Sequence, residues 1–214
     1  MVLFDELLNK VERHLQPKRD TRPDAIPPEH RLALTLEYYA QGQRQSHIAN
    51  MYRLSKNECS YIIQQVSNAI INELKSEFME FSEQNWINVS NEFNFQWQLP
   101  NCLGAINGKH VAIKKPHNAG SDYFNFKRFH SIVLMACADA NYKFITIDVG
   151  GKGAEGDAAI FNRIDLGRMI KSNDRELHLP PYAPIGNKLL PHFFIGDDEF
   201  PFLKRLMKPF KSEN

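Results

Sequence analysis

The sequence is poor in cysteine, in long apolar runs and in net charge. Its three cysteines, Cys59, Cys102 and Cys137, are odd in number and far apart. No disulfide framework or zinc site is expected from them, and they suit a reducing compartment. The longest apolar run, Ile132–Ala138, falls far short of the ~20 residues that cross a bilayer. No signal-peptide pattern opens the chain, so an intracellular protein without membrane contact is expected. A formal net charge of only +1 removes the overall footprint of an avid polyanion binder. Internal repeats and low-complexity tracts are missing, and so are HExxH or HxxxH spacings, which argues against a zinc hydrolase. Gly150, Gly151 and Gly153 do not have the dinucleotide-fingerprint spacing, and Ser121 has no nucleophile-elbow context.

What is present is an ordinary globular composition, 43% hydrophobic and 24% charged over 214 residues, enough for one well-buried domain and a smaller one. Charge is uneven: residues 1–98 carry ten Lys and Arg against thirteen Asp and Glu, whereas residues 99–214 carry sixteen against twelve. The first part reads as helical. Leu3, Leu7, Leu8, Val11 and Leu15 fall on one face of an amphipathic helix. A linker with Pro17, Pro23, Pro27 and Pro28 follows, then a helix with Leu32, Leu36 and Tyr39 inward that stops at Gly42. A short helix around His47–Tyr52, a turn at Arg53–Ser55 and a longer helix capped by Ser55 and Glu58 come next. That outline is a helix-turn-helix, and an ordinary pair of packed helices fits it nearly as well. Lys56, Asn57 and Ser60 begin its candidate recognition face, with Tyr61, Gln64 and Gln65 beyond. The face is polar but scarcely basic, so it would bind phosphates weakly alone. A further helix over Ser82–Trp97 carries Trp86, Val89, Phe93 and Trp97 at core spacing.

After Pro100 the period changes to that of strands: Val111 and Ile113 on the first, Ser131–Ala138 as a central second, Lys143–Val149 as a third. A flexible glycine loop, one helix over Asp157–Ile170, a Pro-rich loop, a fourth strand His192–Ile195 and a last helix over Phe200–Met207 complete the expected order. Asp139 reads as a turn residue, Asp157 as a helix cap and Asp148 as part of a solvated face. Three strands, a helix and a fourth strand, with candidate ligand positions on strands one and four, form a polynucleotidyl-transfer layout. An RNase H-like sheet sets such positions side by side, where carboxylates can hold divalent metals against a phosphodiester.

Three stretches resemble a known family: FQWQLPNCLGAINGKHVAIKKP, GSDYFNFKRFHSIVLMACADANYKFITIDVG and FFIGDDEFPFLKRLMKPF. They are similar to the DDE superfamily nucleases derived from PIF/Harbinger-type transposases. The resemblance extends through RLALTLEYYAQG and YRLSKNECSYIIQQV, the region of that family's helix-turn-helix. It implies an α/β, RNase H-like mixed sheet over 99–214, preceded by an all-helical, helix-turn-helix domain over 1–98. It also implies a divalent metal (Mg²⁺, or Mn²⁺), DNA as substrate, a nuclear location and a Myb-like accessory protein for DNA recognition. The family's first catalytic aspartate falls on Asn107. The second falls on Asp197, with Asp198 beside it. The third carboxylate belongs to a helix beyond the position of Phe210, and the sheet is expected to lack that helix.

Asn107 offers a neutral carbonyl oxygen in place of a charged one, so an impaired nuclease is the expectation. Lys109, Lys114, Lys115, Lys127 and Arg128, interleaved with Tyr123 and Phe126, make a candidate DNA-backbone rim or a solvated edge. The alternatives are a non-catalytic DNA- or protein-binding domesticated transposase, or an incomplete gene product with apolar surface exposed around Phe193, Phe202 and Leu206. Oligomeric state is not legible.

Overall fold

The chain divides into two compact units, Met1–Glu77 and Phe78–Asn214. The computed structural model describes residues 2–16, 26–78, 81–173 and 175–209. Pro17 and Pro23 of the expected linker lie outside the described residues.

The first unit holds α1 (Val2–Leu15), α2 (Pro28–Gln41), α3 (Gln45–Met51) and α4 (Lys56–Phe78). Pro28 opens α2, where a missing N–H costs nothing. At its other end the Gly42 N–H donates to the Tyr38 carbonyl at 3.1 Å. Ser55 Oγ accepts the Glu58 N–H at 3.1 Å and so caps α4 as expected. Val11, Leu15, Leu32, Leu34, Ile48, Cys59, Ile62, Ile63 and Val66 form this unit's core. Two expected core positions turn outward. Leu3 is 81% exposed, and Tyr39 faces solvent with its hydroxyl 2.9 Å from Ser67 Oγ.

In the second unit, α5 (Glu83–Trp97) packs with a five-stranded sheet. The expected boundary at residue 98 is therefore displaced to residue 77. The physical reason is Trp86, which lies in the sheet's core, donates Nε1–H to the Leu177 carbonyl at 2.6 Å and meets Phe194 edge-on at 5.6 Å. The strands are β1 (Cys102–Ala112), β2 (Ser131–Ala138), β3 (Phe144–Lys152), β6 (Phe193–Ile195) and β7 (Leu206–Met207), in the order β3-β2-β1-β6-β7. The first three pair antiparallel, whereas β6 joins β1, and β7 joins β6, in parallel. A separate hairpin, β4 (Ala183–Ile185) with β5 (Lys188–Leu190), occupies the stretch expected to be a Pro-rich loop.

Alternation on β2 buries Ser131, Val133, Met135 and Cys137 on one face. There Val133, Met135, Cys137 and Ile106 join Ile160, Phe161, Leu166 and Ile170 in one core, brought by α6 (Asp157–Arg163) and α7 (Asp165–Ser172). The expected single helix over 157–170 is broken because Ile164 adopts an extended conformation, ψ 154°. The expected flexible glycine loop is corrected too. Gly150 and Gly151 extend β3, with Gly151 buried opposite Val133, where a side-chain carbon would displace Ile160 Cδ1. The helix expected over Phe200–Met207 is absent. Pro201 disfavours helical backbone at Phe200, and Phe200 is buried against Phe161 while Leu206 and Met207 become β7. Phe193 and Leu206 are consequently buried, and of the expected exposed trio only Phe202 faces solvent.

Replacing Trp86 with Phe keeps the ring but leaves the Leu177 carbonyl without its donor. A loss of about 1–3 kcal/mol is expected, read as a lower urea midpoint.

Candidate functional site

β1 is a strand of two faces. Ala105, Asn107 and Lys109 point to one side, and Ile106, Gly108 and His110 to the other. β6 runs alongside in parallel, with Ala105 opposite Ile195 as the last paired positions. Two residues further on each chain come Asn107 and Asp197, both exposed. The paired strands thus lead toward two positions that lie ninety residues apart in the chain. Asn107 Oδ1 accepts the Gly108 N–H at 2.7 Å. Asp197 Oδ1 accepts the Glu199 N–H at 2.9 Å, an Asx turn that holds the loop after β6. Asp198 is exposed on that turn.

A third carboxylate arrives from the opposite face. Asp157, the first residue of α6, is only 8% exposed. A side-chain carbon built on Gly108 would meet its Oδ1 at 2.3 Å and its Oδ2 at 2.4 Å, so the carboxyl rests directly on the glycine. A larger residue there would force the Asp157 side chain to move. Burial raises the Asp157 pKa, and the charges of Glu199 and Asp197 raise it further, whereas His110 and the Gly108 backbone act in the opposite sense. Reading Asp157 as a helix cap is therefore corrected: Gly156 is the N-cap, and the Asp157 side chain lies against Gly108 instead. His110 shares a hydrogen bond with Ser131 Oγ at 2.9 Å, and the buried Asn125 donates Nδ2–H to the same oxygen at 2.8 Å.

The remaining expected residues separate. Lys109, Lys114, Lys115, Lys127 and Arg128 are all exposed on the second unit. Lys56, Asn57 and Ser60 are exposed at the start of α4, in the first unit. Sequence reasoning missed Asp157, Glu199 and His110. The available signal was the glycine at position 108, next to the candidate ligand, which nothing in a strand requires unless another group approaches its backbone closely.

Does this donor set fit a metal ion? Asn107 and Asp157 approach β1 from opposite faces, and one Asp197 oxygen already serves its own turn. Among the described residues no group of three or more His, Cys, Asp or Glu side chains could hold a metal ion. As placed, the donors do not make a divalent-metal site.

The sequence profile of the DDE superfamily endonucleases matches residues 106–214. "Putative nuclease HARBI1" of rat is 26% identical over 153 residues, which are 71% of this chain and 44% of that protein. The human protein of the same name is also 26% identical, with the same coverage. "Protein ALP1-like" of Arabidopsis thaliana is 20% identical over 220 residues, covering 98% of this chain and 52% of that protein. The chain thus spans about half the length of the curated relatives it matches. No solved structure matches it.

Two outcomes test the packing at Gly108. Gly108→Ala places a methyl group inside the Asp157 carboxyl, so a marked drop in thermal midpoint is expected. Asp157→Asn tests the charge. With the folded pKa raised, this carboxyl carries no penalty below its unfolded pKa and loses stability as pH rises through the folded value. The variant is expected to gain stability over the parent at pH 7 and to lose that advantage near pH 3, measured by thermal unfolding at both.

Proposed function

The chain belongs to the DDE superfamily endonucleases, and on that premise we propose that its second unit is an RNase H-like nuclease fold, derived from a Harbinger-type transposase, with impaired DNA cleavage. The observation that supports the reading is the parallel pairing of β1 with β6, whose last pair, Ala105 with Ile195, comes two residues before Asn107 and Asp197. The strand order, three antiparallel strands followed by two parallel ones, supports the RNase H-like part. Asn107 stands where that family carries its first catalytic aspartate. An amide supplies an oxygen but no charge, and a divalent cation gives up its water reluctantly to neutral donors. Asp197, weakly assisted by Asp198, is left as the principal acidic donor for Mg²⁺ or Mn²⁺. The donors as placed would hold either poorly.

A second reading has a specific observation in its favour. The exposed cations Lys109, Lys114, Lys115, Lys127 and Arg128 make no ion pair among the described residues. They form a rim suited to phosphates even where no bond is cut. The helix-turn-helix reading of α3 and α4 belongs with it. Lys56, Asn57 and Ser60 offer polar contacts to DNA, and their low charge suits dependence on a Myb-like partner in the nucleus.

Plasmid relaxation separates the readings. With Mg²⁺ the purified chain is expected to nick no more than its Asp197→Ala variant, while Asn107→Asp raises nicking above that background. Magnesium-dependent nicking by the parent chain that disappears in Asp197→Ala would overturn the proposed impairment.

A further inference from the structure

Between β1 and β2 the chain makes a tight turn whose purpose the fold does not explain. Asn125, 2% exposed, is its anchor. The Asn125 N–H donates to the Phe129 carbonyl at 2.9 Å, the Arg128 N–H donates to the Asn125 carbonyl at 3.0 Å, and Asn125 Oδ1 accepts the Phe129 N–H at 3.2 Å. With its Nδ2 tied to the buried Ser131, the side chain of Asn125 is fully committed to holding this turn. What the turn displays is Phe126, 74% exposed. The His110 ring meets Phe126 edge-on at 5.6 Å, so the phenyl has a neighbour on one side while most of its surface stays open. Lys127 Nζ lies 5.3 Å from the ring centroid. Arg128 follows in a left-handed conformation, φ 65°. The Ile113 N–H donates to the His130 carbonyl at 2.8 Å, which brings the exposed Lys114 and Lys115 to the same loop.

A single exposed aromatic residue needs no explanation. An exposed ring on a hydrogen-bonded turn, with one cation over it and three more exposed along the same connection, none in an ion pair among the described residues, suits a ligand with a flat face and negative charge. A nucleotide has both. In a duplex, however, the base faces are stacked and hidden, so such a ring can engage only an unpaired or flipped-out base. His110 also fixes where that base would lie, because it projects from β1 on the face that carries Gly108 and Asp157.

We propose that Phe126 is a stacking platform for an unpaired nucleobase, with Lys127, Arg128, Lys114 and Lys115 taking the adjoining phosphates. The substrate class is then single-stranded or locally opened DNA rather than intact duplex. The proposal rests on the reading of the second unit as acting on DNA, and it does not require cleavage.

The test is fluorescence anisotropy of the whole chain with a labelled single-stranded oligonucleotide, and with the duplex of the same length, both in EDTA. The parent is expected to bind the single strand more tightly. Phe126→Ala should weaken that binding about tenfold and leave duplex binding unchanged, whereas Phe126→Trp should restore it. A 2-aminopurine base in the single strand should be quenched by the parent and not by Phe126→Ala. Equal affinity of the parent and Phe126→Ala for the single strand, with duplex binding intact, overturns the stacking platform alone. Failure of the parent to bind either DNA overturns the DNA reading as well. Binding of polyglutamate in competition with the oligonucleotide, unaffected by Phe126→Ala, overturns the nucleobase in favour of an acidic peptide.

Discussion

The contact on which the second unit depends is that of a carboxyl group with a glycine. Asp157 opens α6 and rests on Gly108 of β1, and this approach sets the height and direction at which α6 enters the sheet. From that point Ile160 and Phe161 follow into the core beside Val133 and Met135. Gly151 on β3 makes room for Ile160 in the same way, so two close approaches, at residues 108 and 151, seat one short helix on three strands. Burying a carboxyl group costs free energy unless it is hydrogen-bonded. Here the Gly108 backbone and the nearby His110 offset part of that cost, while Asp197 and Glu199 add to it.

The alternation of β1 then separates two tasks. Gly108 and His110 face the core and receive α6. Asn107 and Lys109 face the other side, beside the end of β6. An aspartate at position 107 would add a negative charge on the strand beside the acidic turn that carries Asp197, Asp198 and Glu199. The neutral amide adds no charge beside Asp197 and occupies its oxygen with a backbone donor of its own strand.

Much of this was legible in the sequence wherever a pattern is local. The Ser55 cap, the stop at Gly42 and the span of β2 follow from residues within a few positions of one another, and the structure agrees with each. The failures have two causes. Leu206 pairs with β6 and Trp86 draws α5 onto the sheet, each through a partner distant in sequence that local periodicity does not contain. The extended backbone at Ile164 and the proline after Phe200 are local breaks that the apolar spacing masked. At the site, Asn107 and Asp197 were singled out by motif; Asn107 lies on β1, and Asp197 lies in the turn two residues past the end of β6. Asp157 was passed over because an aspartate at a helix start has a sufficient local explanation, and only the face of Gly108 reveals the other one.

The connection between β1 and β2, residues 113–130, bears on what surrounds the site. Loops of that length without regular structure are uncommon in compact domains, and they are either functional or disordered. This one is ordered by buried polar groups: Ser131 Oγ accepts from Asn125 and shares a hydrogen bond with His110, while Gly153 crosses so close that a side chain there would strike Ser131 Oγ and the Tyr123 carbonyl. Those bonds join the loop, β1 and the turn after β3 into one rigid corner. A loop held so firmly at its base, yet displaying phenylalanine and lysine at its tip, is not arranged to protect its own core. Its order comes from inside, and its exposed chemistry is left free for something outside the chain.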